Sequence, residues 1–302
     1  MACSQPPGAF DASRFDGSWV LEGNSGPMAL QIAAAGTPEM SGSIVGAVGG
    51  RTQPFLECSI VDGRLKFRVE REFDGGSVVG SDTVAWFEGD RLRGETVRDD
   101  RDGRRIWTGR RPDAVSDVDG GDWVEGRQVV LFDGSDLSEW NTGASGRVEG
   151  WLIRDERLVN SGTAPEIVSN REFWNFQLQV QYRVSEGGNS GIALRGRYEI
   201  QILDDFGADP SIHGNGAVYS RITPRVVATR HHAEWQDFDI RLVGRVVTVV
   251  LNGVTIIDRQ VIDGITAMAT DARESQPGPI ALQGDHGPVE FRRIVVTPLK
   301  RR

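Results

Sequence analysis

Alternation with a period of two residues, interrupted every few positions by glycine-containing turns, is the feature that most constrains this chain. Phe176, Leu178, Val180, Tyr182 and Val184 alternate with Gln177, Gln179, Gln181 and Arg183. Successive strand residues point to opposite faces, so this run reads as a strand with one face in and one face out. The pattern recurs from end to end. Glycine supplies 38 of the 302 residues without forming a collagen-like repeat or a long linker. The glycines therefore mark tight turns between many short strands. No long amphipathic helix is readable, and residues 263–270 read as one short turn at most. The fold class is all-β.

In the first part of the chain, residues 18–21, 28–33, 42–48, 55–61, 65–70, 78–87, 91–97 and 104–110 read as strands. Glu22-Gly23-Asn24, Asp62-Gly63, Gly89-Asp90 and Asp102-Gly103 lie between them, and such pairs supply the positive φ of hairpin turns. The expectation is an antiparallel β-meander of about seven or eight strands, barrel-like so that its edges are hidden. Residues 1–13 read as a disordered lead and 14–112 as this N-terminal β domain. Residues 113–126 are acidic, glycine-rich and non-periodic, which predicts a linker that charge repulsion keeps extended. Residues 127–299 then carry longer strands at 176–184, 237–243, 246–251, 254–258, 280–283 and 289–298. Gly244-Arg245 and Asn252-Gly253 connect three of these as hairpins. About a dozen strands here predict a β-sandwich.

The formal net charge is −9, which argues against non-specific binding to nucleic acid, because the long-range field repels phosphate. Basic residues between Arg91 and Arg111 alternate with Asp and Glu and read as a solvated face. No run of about 18 apolar residues exists. Cys3 and Cys58 offer neither zinc spacing nor a disulfide framework. Met1-Ala2-Cys3-Ser4-Gln5-Pro6-Pro7 is similar to the start of a mature bacterial lipoprotein with Cys3 lipidated. That predicts a membrane tether and a periplasmic or extracellular location, the alternative being an ordinary polar terminus.

The most informative polar segment runs from Asn189 to Asp204. In strand phase Tyr198, Ile200 and Ile202 share one face, while Arg197, Glu199 and Gln201 share the other, with Arg195 expected nearby across Gly196. Same-face side chains lie about 7 Å apart, and guanidinium, carboxylate and carboxamide groups can each hold vicinal hydroxyls. The alternative is a solvated face with an Arg–Glu pair. His213, Tyr219, His231, His232, Trp235, Gln283, Asp285 and His286 are further polar candidates. His231 and His232 make a poor metal pair, since adjacent strand residues diverge. His286 stands at a turn after a strand, where reactive groups are often displayed. The nucleophile-elbow, phosphate-loop, zinc-protease and dinucleotide signatures are absent.

These residues also carry a resemblance. The run from Val130 to Trp140, VLFDGSDLSEW, resembles the "LFDG-DLSGW" opening of the bacterial 3-keto-disaccharide hydrolase (DUF1080) domain. Asn189-Ser190-Gly191 with Leu194-Arg195, Tyr198 to Ile202 with Asp204, Gly216-Ala217-Val218-Tyr219, Trp235, Leu251-Asn252-Gly253, and the tail from Gly278 through His286 to Arg292 follow in the family's order. The resemblance covers about residues 129–299 and departs from the pattern at Gly284-Asp285, Asn215 and residues 225–232. It implies a concanavalin-like jelly-roll sandwich that cleaves 3-keto-glycosides by C2 proton abstraction and β-elimination, with or without rehydration. Arg195, Glu199 and His286 are then the catalytic candidates. Asn189, Gln201, Asp204, Tyr219, Trp235 and Gln283 are the substrate-binding candidates. A divalent metal at Glu199 or His286 is compatible with the pattern, which does not identify one. The competing reading is a non-catalytic carbohydrate-binding module or adhesin, because a fold does not fix a function. For the N-terminal domain the resemblance gives no role.

Overall fold

Left-handed backbone falls where the sequence places its turns: Asp62-Gly63, Gly89, Gly103, Gly244 and Asn252-Gly253 all have positive φ. The computed structural model describes residues 10–23, 26–46, 51–72, 76–141 and 149–302. Cys3, with the tether expected there, lies outside the described residues, as do Asn24 and residues 47–48 of the expected third strand. The chain divides into two units, Met1–Pro112 and Asp113–Arg302. Among the described residues there is one 3-10 turn, Ala12–Phe15, and no α-helix, so no helix is long and apolar enough to cross a membrane.

The first unit contains β1 (Gly17–Gly23), β2 (Met28–Ala33), β3 (Ser41–Gly46), β4 (Gln53–Pro54), β5 (Glu57–Val61), β6 (Arg64–Glu72), β7 (Val78–Glu88), β8 (Arg91–Arg98) and β9 (Arg104–Arg110). They hydrogen-bond antiparallel in the order β4-β3-β2-β1-β9-β8-β7-β6-β5. Residues between β4 and β5 close the ring: Phe55 N–H donates to Gly42 O and Leu56 N–H to Arg68 O, both at 2.9 Å. The meander is thus a barrel in which β4 and β5 form one bent strand. Phe15, Trp19, Leu21, Leu30, Leu65 and Trp107 fill one part of its interior.

The second unit contains β10 (Trp123–Glu125), β11 (Val129–Phe132), β12 (Trp151–Arg154), β13 (Arg157–Asn160), β14 (Ile167–Phe173), β15 (Phe176–Val184), β16 (Asn189–Leu194), β17 (Tyr198–Leu203), β18 (Gln236–Val243), β19 (Val246–Leu251), β20 (Val254–Val261), β21 (Gly278–Leu282) and β22 (Val289–Arg301). The larger sheet runs β12-β13-β22-β15-β18-β19-β20, with β10 and β11 also on β22; the smaller runs β14-β21-β16-β17. Leu178, Val180, Ile240, Val249 and Ile294 of the larger sheet share one buried cluster with Ile167, Ile192, Ile200, Ile280 and Leu282 of the smaller. This is the jelly-roll sandwich, and the apolar phase of each strand decides which face joins the core.

Segment 113–126 is tied to the sandwich. Trp123 pairs with Arg301 in the β10–β22 ladder. Asp117 accepts from Trp174 Nε1 at 2.7 Å and Asn175 Nδ2 at 2.8 Å. Asp119 is buried, accepts two hydrogen bonds from Arg241 and faces Arg259. Sequence reading took these carboxylates as mutually repelling. Their partners, more than fifty residues away in the chain, supply the opposite charge and the donors.

Asp119→Ala leaves two guanidinium groups without their carboxylate, so a loss of about 1–3 kcal/mol is expected. Urea unfolding followed by tryptophan fluorescence measures it, and an unchanged midpoint would show that the segment is not anchored.

Candidate active site

The outer face of the smaller sheet is built by register. Ile167 pairs with Leu282, Ile192 with both Leu282 and Ile200, and Ala193 with Ala281 and Glu199. Because Ile167, Ile192, Ile200 and Leu282 point into the core, their neighbours point outward. Val168, Ala281, Ala193 and Glu199 form one outward row. Glu166, Gln283, Gly191 and Gln201 are level in the next, where Gln283 N–H donates to Gly191 O at 2.9 Å. A Cβ on Gly191 would lie 2.7 Å from Glu199 Oε1 and 3.0 Å from Met268 Sδ. The Glu199 carboxyl therefore lies over the space that glycine leaves, under the cover of Met268, which packs with Ala193 and Ala281.

Glu199 is only 3% exposed. Burial drives its pKa up to about 8, the charge of Glu166 adds to the rise, and the Met268 backbone N–H offsets part of it. Burial also raises Glu166 to about 7, helped by the Asp285 charge. Two desolvated carboxyls in electrostatic contact cannot both ionise easily, so near neutral pH one tends to keep its proton while the other gives it up. Asp285 Oδ1 lies 2.6 Å from Nδ1 of His286, whose side chain is 47% exposed. Gly284 allows this turn to lie close to Ala164 and Pro165, and its carbonyl accepts from buried Asn160 at 2.7 Å. Gln201 is buried and donates to Asn189 Oδ1 at 3.3 Å, while its Oε1 has no hydrogen-bond partner in the protein.

Residues 127–297 match the 3-keto-alpha-glucoside-1,2-lyase-like domain family. The chain belongs to this family. A 3-keto-disaccharide hydrolase of Bacteroides thetaiotaomicron is 30% identical over 74 residues, spanning 21% of this chain and about a quarter (26%) of that relative's length. A candidate glycosyl hydrolase from Parabacteroides distasonis is 26% identical and covers 63% of this chain and 92% of its own, with a TM-score of 0.49. Another from the same organism is 24% identical, covers 57% of this chain and 100% of its own, and has a TM-score of 0.46.

Within this lyase-like domain the expected residues separate into groups. Glu199, Gln201, Asn189 and Gln283 lie on the smaller sheet or at the end of its strands, and His286 lies in the turn from β21 to β22. Arg195 does not join Glu199. It sits with positive φ in the turn between β16 and β17, and its buried guanidinium packs over Trp174 and Tyr198 at 4.3 and 5.2 Å from the ring centroids. Tyr198 points opposite to Glu199, so the left-handed turn has broken the phase on which the expectation rested. Arg197 does share the Glu199 phase, but Asp271 and the Gln276 carbonyl hold it. Trp235 lies between Arg183 and Arg292, residues of the larger sheet. Asp204 accepts from the Gly187 N–H at 2.9 Å and faces His232 at 3.5 Å. Tyr219 N–H donates to Glu199 O, and its ring lies 4.7 Å from that of His213.

Glu166 was missed. Its signal was the phase of Ile167 in and Val168 out, but only the pairing of β14 with β21 reveals its neighbours. Among the described residues no group of three or more His, Cys, Asp or Glu side chains is placed to hold a metal ion.

The raised Glu199 pKa has a consequence for stability. From the ordinary value of 4.5 up to about 8, the folded protein keeps a proton that the unfolded chain has released. Rising pH therefore favours unfolding in this window. Glu199→Gln removes the penalty, so the stability of the variant relative to the parent should increase from pH 5 to pH 8.5. Urea midpoints at the two pH values test this, and an equal difference at both would contradict the burial of an uncompensated carboxyl.

Proposed function

We propose that this protein is a carbohydrate-active enzyme that cleaves 3-keto-glycosides by elimination across C1 and C2. The observation carrying this reading is the pair of desolvated carboxyls on one sheet face, raised to about 8 at Glu199 and about 7 at Glu166. The family membership and the relative named a 3-keto-disaccharide hydrolase support the substrate class.

A ketone at C3 acidifies the C2 proton, because the electrons left behind delocalise onto the ketone oxygen as an enolate. Glu166, the carboxyl that ionises first, takes that proton. The C1–C2 π bond forms as the C1–oxygen bond breaks, and Glu199, still protonated, gives its proton to the departing oxygen. The products are the free aglycone alcohol and a 2-hydroxy-enone sugar. Water adding back, oxygen to C1 and hydrogen to C2, converts the elimination into net hydrolysis. This route needs one acid and one base, in place of the nucleophile or water-activating carboxylate of ordinary glycosidases. Gln201 offers its unpaired Oε1 to a sugar hydroxyl, and Gln283 and Asn189 supply further carboxamides beside it. His286 is exposed beside Asp285, after the strand end that carries Gln283.

The decisive experiment incubates the protein with an aryl 3-keto-glucoside and with its unoxidised parent. Aglycone release from the keto form alone is expected. Affinity for both sugars without release would instead indicate a binding module. Glu199→Gln and Glu166→Gln should each lower kcat by about 10²–10⁴-fold, and full activity in either would remove that residue from the chemistry. The parent enzyme should show a bell-shaped kcat/KM profile rising through about 7 and falling through about 8, since the base must be ionised and the acid protonated. Gly191→Ala should depress kcat and cost about 1–3 kcal/mol of stability, because its Cβ would meet Glu199 Oε1 and Met268 Sδ. An unaltered rate would show that the carboxyl has room to move.

A further inference from the structure

The barrel of the first unit is filled unevenly. Register places Leu65, Ala85, Gly94 and Trp107 level around the ring. Gly94 leaves the space that the Trp107 indole occupies, since a Cβ there would collide with the ring. That layer is solid. The next layer is Phe67, Thr83, Thr96 and Arg105, followed by Val69, Ser81 and Arg98, and then Arg71 and Val79. Among the described residues no side chain plugs these layers, and a cavity of about 90 Å³ remains.

The lining is chemically one-sided. Met28, Ile44, Phe67, Val69 and Val79 make an apolar wall. Thr83 and Thr96 bond each other at 2.9 Å, and Thr96 also accepts from Trp107 Nε1, so their hydroxyls are already engaged. Arg71, Arg98 and Arg105 bring three guanidinium groups, and among the described residues no Asp or Glu lines the space. Arg98 is neutralised outside by a two-point contact with Asp100 at 2.9 and 2.7 Å. Arg105 is different: its Nε and Nη2 are buried without a hydrogen-bond partner. Burial and the neighbouring charges of Arg101 and Arg98 all disfavour its cationic form. Arg105 is a half-buried cation with no counter-ion among the described residues; partial withdrawal from water is costly, and an anion in the cavity would relieve that cost.

We propose that the barrel is a binding site for a small organic carboxylate, whose anionic head meets Arg105 and whose apolar body lies along Met28, Ile44, Phe67, Val69 and Val79. A planar carboxylate matches the guanidinium fork. The apolar wall selects against inorganic anions, which gain nothing from it. An eight-stranded barrel is wide enough to hold one such ligand once part of its interior is left unfilled.

Titration calorimetry of the full chain with hexanoate tests this, with hexanol and inorganic phosphate as comparison probes. Hexanoate should bind and raise the thermal midpoint, while hexanol and phosphate bind at least ten-fold more weakly. Arg105→Gln, which removes the uncompensated charge and should fold at least as well, is expected to weaken hexanoate by ten-fold or more. Ser81→Leu, which fills the space and leaves Arg105 intact, should abolish binding. Failure of hexanoate and the longer octanoate to bind at millimolar concentration would overturn the proposal. So would hexanoate affinity unchanged in Arg105→Gln, or phosphate binding as tightly as hexanoate.

Discussion

An ionised carboxylate held away from water without a cation beside it is costly, and the outer face of the smaller sheet imposes that condition on Glu199. Strand alternation turns Ile200 and Ile202 into the core and so forces Glu199 and Gln201 outward. Met268 then covers the carboxyl, and the missing side chain at Gly191 lets it lie flat against the sheet. The sandwich core, with Leu178, Val180, Ile240 and Ile294 fully buried opposite, supplies the stability that tolerates such a group. Fold and site share one cause: the phase that makes the core apolar also collects the carboxyls on the other side.

The environment separates the two carboxyls in a useful direction. Both are raised mainly by burial, but Glu199 is the more enclosed and feels Glu166, whereas Glu166 feels Asp285. Asp285 is exposed and bonded to His286, so the series runs from a buried carboxyl to a solvent-facing imidazole. Gly284 matters here through close packing: the turn that carries Asp285 and His286 reaches Glu166 only because no side chain separates Gly284 from Ala164 and Pro165.

Much of the architecture was legible in the sequence, because period-two patterning and positive-φ turn residues are local signals. The hairpin at Asn252-Gly253 and the strands on either side follow from a handful of adjacent residues. The site was legible where it inherits that phase, as at Glu199 and Gln201, and illegible where it depends on long-range pairing or on a turn. Arg195 was assigned to the Glu199 face by counting through Gly196. Left-handed backbone at both turn positions rotates the count, and the guanidinium goes to Trp174 and Tyr198. Glu166 gave no motif, since its meaning lies in strands β21 and β16, more than twenty residues distant. Segment 113–126 looked like a linker because its partners, Trp174, Arg241 and Arg259, are invisible at short range.

Buried charge in this protein sorts by whether the fold supplies a partner. Arg197 is fully enclosed yet held by Asp271 and two carbonyls. Arg195 lacks a carboxylate of its own, but two aromatic faces take up part of the charge, and the Gly244 carbonyl accepts from Nη2. Tyr198 in turn donates to Glu274, while Arg195 Nε and Nη1 and Glu274 Oε2 are buried without a hydrogen-bond partner. Arg197 has what an internal structural role needs, and for Arg195 the aromatic faces replace only part of it. Glu199 and Glu166 in the sandwich and Arg105 in the barrel do not have it, since their neighbours carry the same sign or no charge. A residue kept in that state gains most from something that arrives from outside: a proton exchanged with a substrate for the carboxyls, an anion for the guanidinium. The electrostatic criterion that marks Arg197 as part of the scaffold leaves these three without a partner of opposite charge among the described residues, which is the state that a functional group and a strained structural one share.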